Sequence, residues 1–137
     1  MQEPSPASKG AALGFEYQLL DDERHADAKQ GMDGNRTLAS LYDLIPRSGL
    51  PRSLGIAPRI GEWQQARIVV RPDRQVEHWL NGIKVVEYQH GSADMAARIA
   101  QSKYAEFAGF GTATRGRILL QDHGDEVQFR SIKVRTR

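Results

Sequence analysis

The stretch VEHWLNGIKVVEY, residues 76–88, decides the fold. Asn81-Gly82 is the strongest short hairpin signal a sequence offers, because a type I′ turn needs φ > 0 at both central residues and Asn and Gly accept it. The flanking residues are β-branched, aromatic or alternately polar, as half-buried strands are. A two-residue turn sets the register, so Leu80 is expected opposite Ile83, His78 opposite Val85 and Val76 opposite Glu87. That register places Glu77, Trp79, Lys84, Val86 and Tyr88 on the other face. The first set is mostly aliphatic and is expected to face the core. The second puts an aromatic among charges, which suits a sugar-facing surface or an ordinary solvent face with one amphipathic Trp. His78 reads as a histidine satisfied by hydrogen bonds at the edge of the aliphatic face.

Working outward, residues 62–71 form the preceding strand, and residues 14–20 alternate in period two with Glu16 and Gln18 on the polar row. Residues 21–29, DDERHADAK, are too polar for a core element and read as a surface loop. Residues 38–45 predict a further strand ended by Pro46. Residues 47–60 contain Pro51 and Pro58 and are expected to be irregular. On the C-terminal side, Ser92 can N-cap a short helix with Asp94 in its first turn, its buried side made by Met95, Ile99 and Tyr104. The segment GRILLQDHGDEVQFR, residues 116–130, predicts a last hairpin: Ile118 and Leu120 on one strand, a turn over 121–125 with Gly124 at φ > 0, and a second strand from Val127. No repeat interrupts this order. The residues read as an all-β domain with one helix.

Composition narrows the function. The chain of 137 residues has room for one domain with one core. It has no cysteine, which excludes disulfides, thiolate zinc sites and a Cys nucleophile. No apolar run approaches the ~18 residues of a membrane helix, so membrane insertion is not expected. Arg130, Lys133, Arg135 and Arg137 cluster near the C-terminus without interleaved aromatics, the pattern of a guarded strand edge rather than a nucleic-acid surface. The first ten residues, MQEPSPASKG, lack the basic start and apolar run of a secretory signal. As written, the chain is expected in the cytoplasm.

Several residue groups can carry chemistry. Gln121, Asp122, His123 and Asp125 crowd one turn; such groups can hydrogen-bond sugar hydroxyls, move protons, or simply stabilise the turn. Asp122, His123 and Asp125 together offer N and O donors to a hard-to-borderline divalent ion. His25 and Asp27 stand within reach of a shared ligand. Arg36 and Tyr42 are candidate carbonyl or hydroxyl binders, though Arg36 could equally brace a carboxylate. Glu16 and Gln18 share a strand face, but the amide at the second position leaves no carboxylate pair on that strand for ordinary glycoside hydrolysis.

Five segments taken in order, GFEYQLLDDERHADAK (14–29), GNRTLASLYDLIP (34–46), GEWQQARIVV (61–70), VEHWLNGIKVVEY (76–88) and QDHGDEVQFRSIKV (121–134), resemble the 3-keto-disaccharide hydrolase family, formerly a domain of unknown function common in exported bacterial proteins. The resemblance implies a concanavalin A-like jelly roll, a sandwich of two antiparallel sheets with one short helix and a sugar-binding concave face. It covers the C-terminal two-thirds of such a domain. Residues 14–137 are then a partial domain, and residues 1–13 an atypical or disordered N-terminal segment. Missing N-terminal strands, or a second copy of the chain, would complete the sandwich; a truncated start would also reconcile the chain with a periplasmic or extracellular location. Gln128 and Ser131 depart from the family's usual Trp and Asn, and residues 52–60 do not match its shorter linker.

The implied activity is cleavage of 3-keto-glycosides or 3-keto-disaccharides. A C3 ketone acidifies the C2 proton, so a base can remove it, the C1 substituent leaves by β-elimination, and water adds back. On this resemblance His25, Glu16, Asp122 and His123 are the catalytic candidates. Gln18, Arg36, Tyr42, Glu77, Trp79 and Gln121 are the substrate-binding candidates, with a divalent metal on Asp122, His123 and Asp125 as a possible cofactor. The alternatives are a non-catalytic carbohydrate-binding module and an inactive fragment.

Overall fold

The computed structural model describes residues 13–50, 58–122 and 124–136; most of the expected N-terminal segment, most of the Pro51 to Pro58 stretch and the candidate His123 lie outside them. Among the described residues the regular structure is one antiparallel sheet and one α-helix. Strand β1 is Ala66–Val70, β2 Gln75–Leu80, β3 Ile83–Gln89, and α1 Ala93–Ala100. The sheet order follows the sequence, β1-β2-β3.

Asn81 and Gly82 make the expected turn, with φ of 49° and 84°. Asn81 does more than turn the chain. Its side chain accepts from the Gln65 amide at 2.8 Å and donates to Gln64 at 2.7 Å, tying the hairpin to the approach to β1. Leu80 faces Ile83 and Trp79 faces Lys84. Beyond them the expected register is wrong by one residue. An irregularity between His78 and Trp79 pairs His78 with Val86 and Val76 with Tyr88. A bulge inserts one residue into a strand and reverses the faces beyond it. Val86 and Tyr88 therefore join the core face and Glu87 the outer one, which keeps a carboxylate out of the core. Val85 and Val86 are both buried across this kink.

The core lies on that face. Leu80, Val85 and Val86 pack with Leu38, Leu41, Leu44, Met95 and Tyr104. Fully burying a Leu or Met side chain contributes about 1.5–3 kcal/mol, so Leu41, Leu80 and Met95 anchor the packing. Helix α1 begins as expected, with Ser92 Oγ accepting the Met95 amide at 3.1 Å. It stops at Ala100, and Tyr104 is buried from a separate 3₁₀ turn, Lys103–Glu106.

Four expected strands do not form regular ladders among the described residues. Residues 14–20 and 38–45 touch through the isolated bridge Tyr17–Leu41, with the bonds Gln18 N–H to Ser40 at 3.2 Å and Tyr42 N–H to Glu16 at 3.0 Å around it. The ladder cannot extend because Ala39 and Asp43 hold φ of 66° and 59°, left-handed conformations foreign to a strand. Within the expected last hairpin Gly124 has φ 96° and donates its amide to Asp122 Oδ1 at 2.8 Å, while His123 between them lies outside the described residues. The arms of that hairpin are extended but carry no assigned ladder. Ile118, Leu119, Leu120, Val127, Phe129, Ile132 and Val134 stand exposed there, as do Ile68 and Val70 of β1. Alternating apolar residues specify a strand only where a neighbouring strand supplies the hydrogen bonds.

Candidate functional site

The polar loop over residues 21–29 is held by bonds from its own side chains. Asp21 Oδ1 caps the amides of Glu23 and Arg24 at 2.9 and 3.1 Å. Asp22 binds the Leu38 amide with one oxygen and Arg47 with the other, at 2.6 and 2.9 Å. Local Asx bonds of this kind compete with regular structure and favour a turn. His25 then caps the 3₁₀ turn Ala26–Lys29, its Nδ1 accepting the Asp27 amide at 3.1 Å.

That bond selects a tautomer. An amide can only donate, so Nδ1 holds the lone pair and the neutral ring carries its proton on Nε2. Nε2 lies 3.9 Å from Asp125 Oδ2, which brings the QDHGD turn to the loop bearing His25. Asp122, in the same turn, spends Oδ1 on the Gly124 amide. Gln121 is exposed.

Asp27 continues the network. Its Oδ1 accepts Arg36 at 2.9 Å and its Oδ2 the Tyr42 hydroxyl at 2.7 Å. Burial opposes ionisation of this carboxyl, but the bonds from Tyr42 and Arg36 outweigh it and hold the group below the usual carboxylate range. Burial raises the Tyr42 hydroxyl above its ordinary value, and the Asp27 bond adds to that. Arg36 also donates Nε to Asp43 at 2.7 Å, so its guanidinium is shared between two carboxylates. The other oxygen of Asp43 takes the Lys103 amide at 2.8 Å. Beside Lys103, the Tyr104 hydroxyl donates to Glu16 Oε1 at 2.8 Å. Burial is the main cause of the raised Tyr104 value, and Glu16 strengthens it.

The structure therefore joins His25, Asp27, Arg36 and Tyr42 directly and reaches Glu16 through Lys103 and Tyr104. Gln18 takes part through its backbone, bonded to Ala39 and Ser40. Glu77 and Trp79 do not join this group. They lie on the outer face of the sheet, where Glu77 accepts from Arg71 and from the Trp79 indole, both at 2.8 Å, and Arg67 stacks on Trp79 at 4.3 Å. Asp43, Lys103 and Tyr104 were not singled out by sequence for a site. Nothing local marks them, since 60 residues separate the Lys103 amide from its Asp43 acceptor.

Two cavities of about 300 and 380 Å³ sit on the core face of the sheet and beside α1. Phe15, Val76, Tyr88, Met95, Ile99 and Phe110 wall them. Their lining is mainly apolar and includes neither His25, Asp27 nor Glu16, so the hollow and the acid–base groups are separate. Among the described residues no three His, Asp or Glu side chains converge as a metal would require. No helix among them is long and apolar enough to cross a membrane.

Comparisons with known proteins agree with one another. A 3-keto-disaccharide hydrolase of Bacteroides thetaiotaomicron is 38% identical over 130 residues, covering 88% of this chain and 43% of that protein. The chain thus spans less than half the length of that curated relative. A crystal structure of a candidate glycosyl hydrolase from Parabacteroides distasonis superposes with a TM-score of 0.60 at 28% identity, over 81% of this chain and 49% of that one. The family model described as a 3-keto-alpha-glucoside-1,2-lyase-like domain matches residues 2–135. At that coverage, and with the identity to the hydrolase, the chain belongs to this 3-keto-alpha-glucoside-1,2-lyase-like family.

Proposed function

We propose that the chain is a catalytic domain that cleaves 3-keto-glycosides by elimination followed by hydration. The observation that carries this reading is the single network running from His25 through Asp27, Arg36 and Tyr42 to Lys103, Tyr104 and Glu16, in a member of a family described by a lyase activity on 3-keto-glucosides. A base takes the C2 proton, and the C–H electrons form an enolate on the C3 oxygen. The enolate then re-forms the ketone, makes the C1=C2 bond and expels the C1 oxygen with a proton from an acid. Water adds across C1=C2, hydroxyl to C1 and proton to C2, which converts the lyase step into net hydrolysis.

The geometry divides these roles. His25 keeps Nδ1 on the Asp27 amide and so presents Nε2–H, which suits hydrogen bonding to the departing oxygen rather than proton abstraction. Glu16 suits the base: the Tyr104 hydroxyl orients its Oε1, and Oε2 has no hydrogen bond among the described residues. A metal, if the domain uses one, would sit on Asp122, His123 and Asp125 and polarise the ketone; two carboxylates and an imidazole suit a hard-to-borderline divalent ion. The exposed apolar arm of residues 116–134 and the bare Ile68 and Val70 support a further part of the proposal, a two-sheet concanavalin A-like sandwich whose second layer covers them.

The test is turnover of a matched pair, a 3-keto-glycoside and its unoxidised parent. Only the ketone should be cleaved, and His25→Ala should slow it by ~10²–10³-fold, the scale for loss of one donor to developing negative charge. Equal turnover of both sugars would overturn the elimination mechanism. Binding of both without turnover by a folded protein would favour a sugar-binding module.

A further inference from the structure

We propose that Lys103 is a catalytic residue of this site, its ammonium binding the C3 oxygen of a 3-keto sugar as that oxygen acquires enolate charge; the proposal rests on the elimination reading above. Enolate formation concentrates negative charge on one oxygen, and catalysis needs a cation or donor waiting there. The sequence offered Arg36 for that task. The structure argues against it, because both of its described ion pairs, at 2.7 and 2.9 Å, commit the guanidinium to Asp43 and Asp27.

Lys103 is in a different state. Its Nζ rests 4.0 Å from the Tyr42 ring centroid and 5.0 Å from that of Tyr104. Among the described residues it has no ion pair, unlike Arg36; like Arg67 and Arg130 it lies over an aromatic ring instead, but it alone of these three lies over rings whose hydroxyls hold carboxylates. An aromatic face orients an ammonium without pairing it; the Asp27 carboxylate feels the Lys103 charge but forms no ion pair with it, so the ammonium keeps its donors for an incoming anion. Its backbone is fixed by the 2.8 Å bond to Asp43 and by the Ser102 cap on the 3₁₀ turn. The two tyrosines that seat the ammonium also hold carboxylates of the network, Tyr42 that of Asp27 and Tyr104 that of the base Glu16. One sugar ring spanning Glu16 and Lys103 would have the base at C2 and the cation at the adjacent C3 oxygen.

The experiment follows C2 hydrogen exchange of a 3-keto-glycoside in deuterated water by NMR, with steady-state cleavage measured in parallel, for the whole chain and for K103M and K103R. Lys103→Met should lower kcat and the exchange rate together by ~10²–10³-fold, the scale for loss of one oxyanion partner, with KM little changed. Lys103→Arg should recover much of both rates, and the thermal midpoint should be unaltered in either variant. Wild-type exchange in K103M would overturn the proposal while leaving elimination intact. So would a lowered thermal midpoint accompanied by loss of activity in both variants, which would make Lys103 structural. A wild-type chain that neither exchanges nor cleaves the ketone would remove the elimination reading, and this proposal with it.

Discussion

Arg36→Met probes the centre of the network. The Arg36, Asp27 and Asp43 side chains are 17%, 14% and 7% exposed, so the charges are largely withdrawn from water. Removing the cation strands two carboxylates, and breaking a buried ion pair from one side costs about 3–5 kcal/mol. Tyr42 and the Lys103 amide still serve those carboxylates, which places the expected loss near the lower end. With a urea m-value of about 1–3 kcal/mol/M, a loss of ~3 kcal/mol moves the denaturation midpoint down by roughly 1–3 M at pH 7. The sign of the pH effect follows from Asp27. Its folded value lies below the unfolded value of about 3.9, so its stabilisation is present above that pH and is lost as pH falls through the folded value. Arg36→Met should flatten this acid loss. The triple variant R36M/D27N/D43N, which removes all three charges, should regain much of the stability. An unchanged midpoint for Arg36→Met at pH 7 would refute the reasoning, because it would mean that water already solvates both carboxylates.

Two further outcomes are expected. His78 is 2% exposed and donates Nδ1–H to the Ala39 carbonyl at 3.0 Å; burial lowers its value below the ordinary imidazole range, so stability should fall as pH drops below the unfolded value of about 6.5. Urea titrations at several pH values for wild type and His78→Gln would check this, the variant lacking that pH step. Ala39 is fully buried at φ 66°, a conformation costing an L-residue about 1–2 kcal/mol, so Ala39→Gly should leave stability unchanged or raise it by up to ~1 kcal/mol after the extra chain entropy of glycine; a clear loss would show that the Ala39 methyl packs favourably enough to outweigh the strain.

Local signals in this chain determined local structure. Asn81-Gly82 specified its turn, Ser92 specified the start of α1, and the alternation around them specified β2 and β3, because each depends on conformational preferences a few residues long. The motif order sufficed to place the chain in its family. Tertiary structure decided the rest. The bulge at His78 and Trp79 moved Val86 and Tyr88 inward, a choice made by burying two adjacent valines that no pairing rule anticipates. Residues 14–20 and 116–134 have the alternation of strands but no regular ladder, since a ladder is a property of two segments and a sequence describes one. The site divides in the same way. His25, Asp27, Arg36 and Tyr42 could be suspected from residue type. The commitment of Arg36 to two carboxylates, the proton on His25 Nε2 and the seat of Lys103 on two tyrosine rings arise from contacts between distant segments, where the energy of a charge depends on which groups folding places around it.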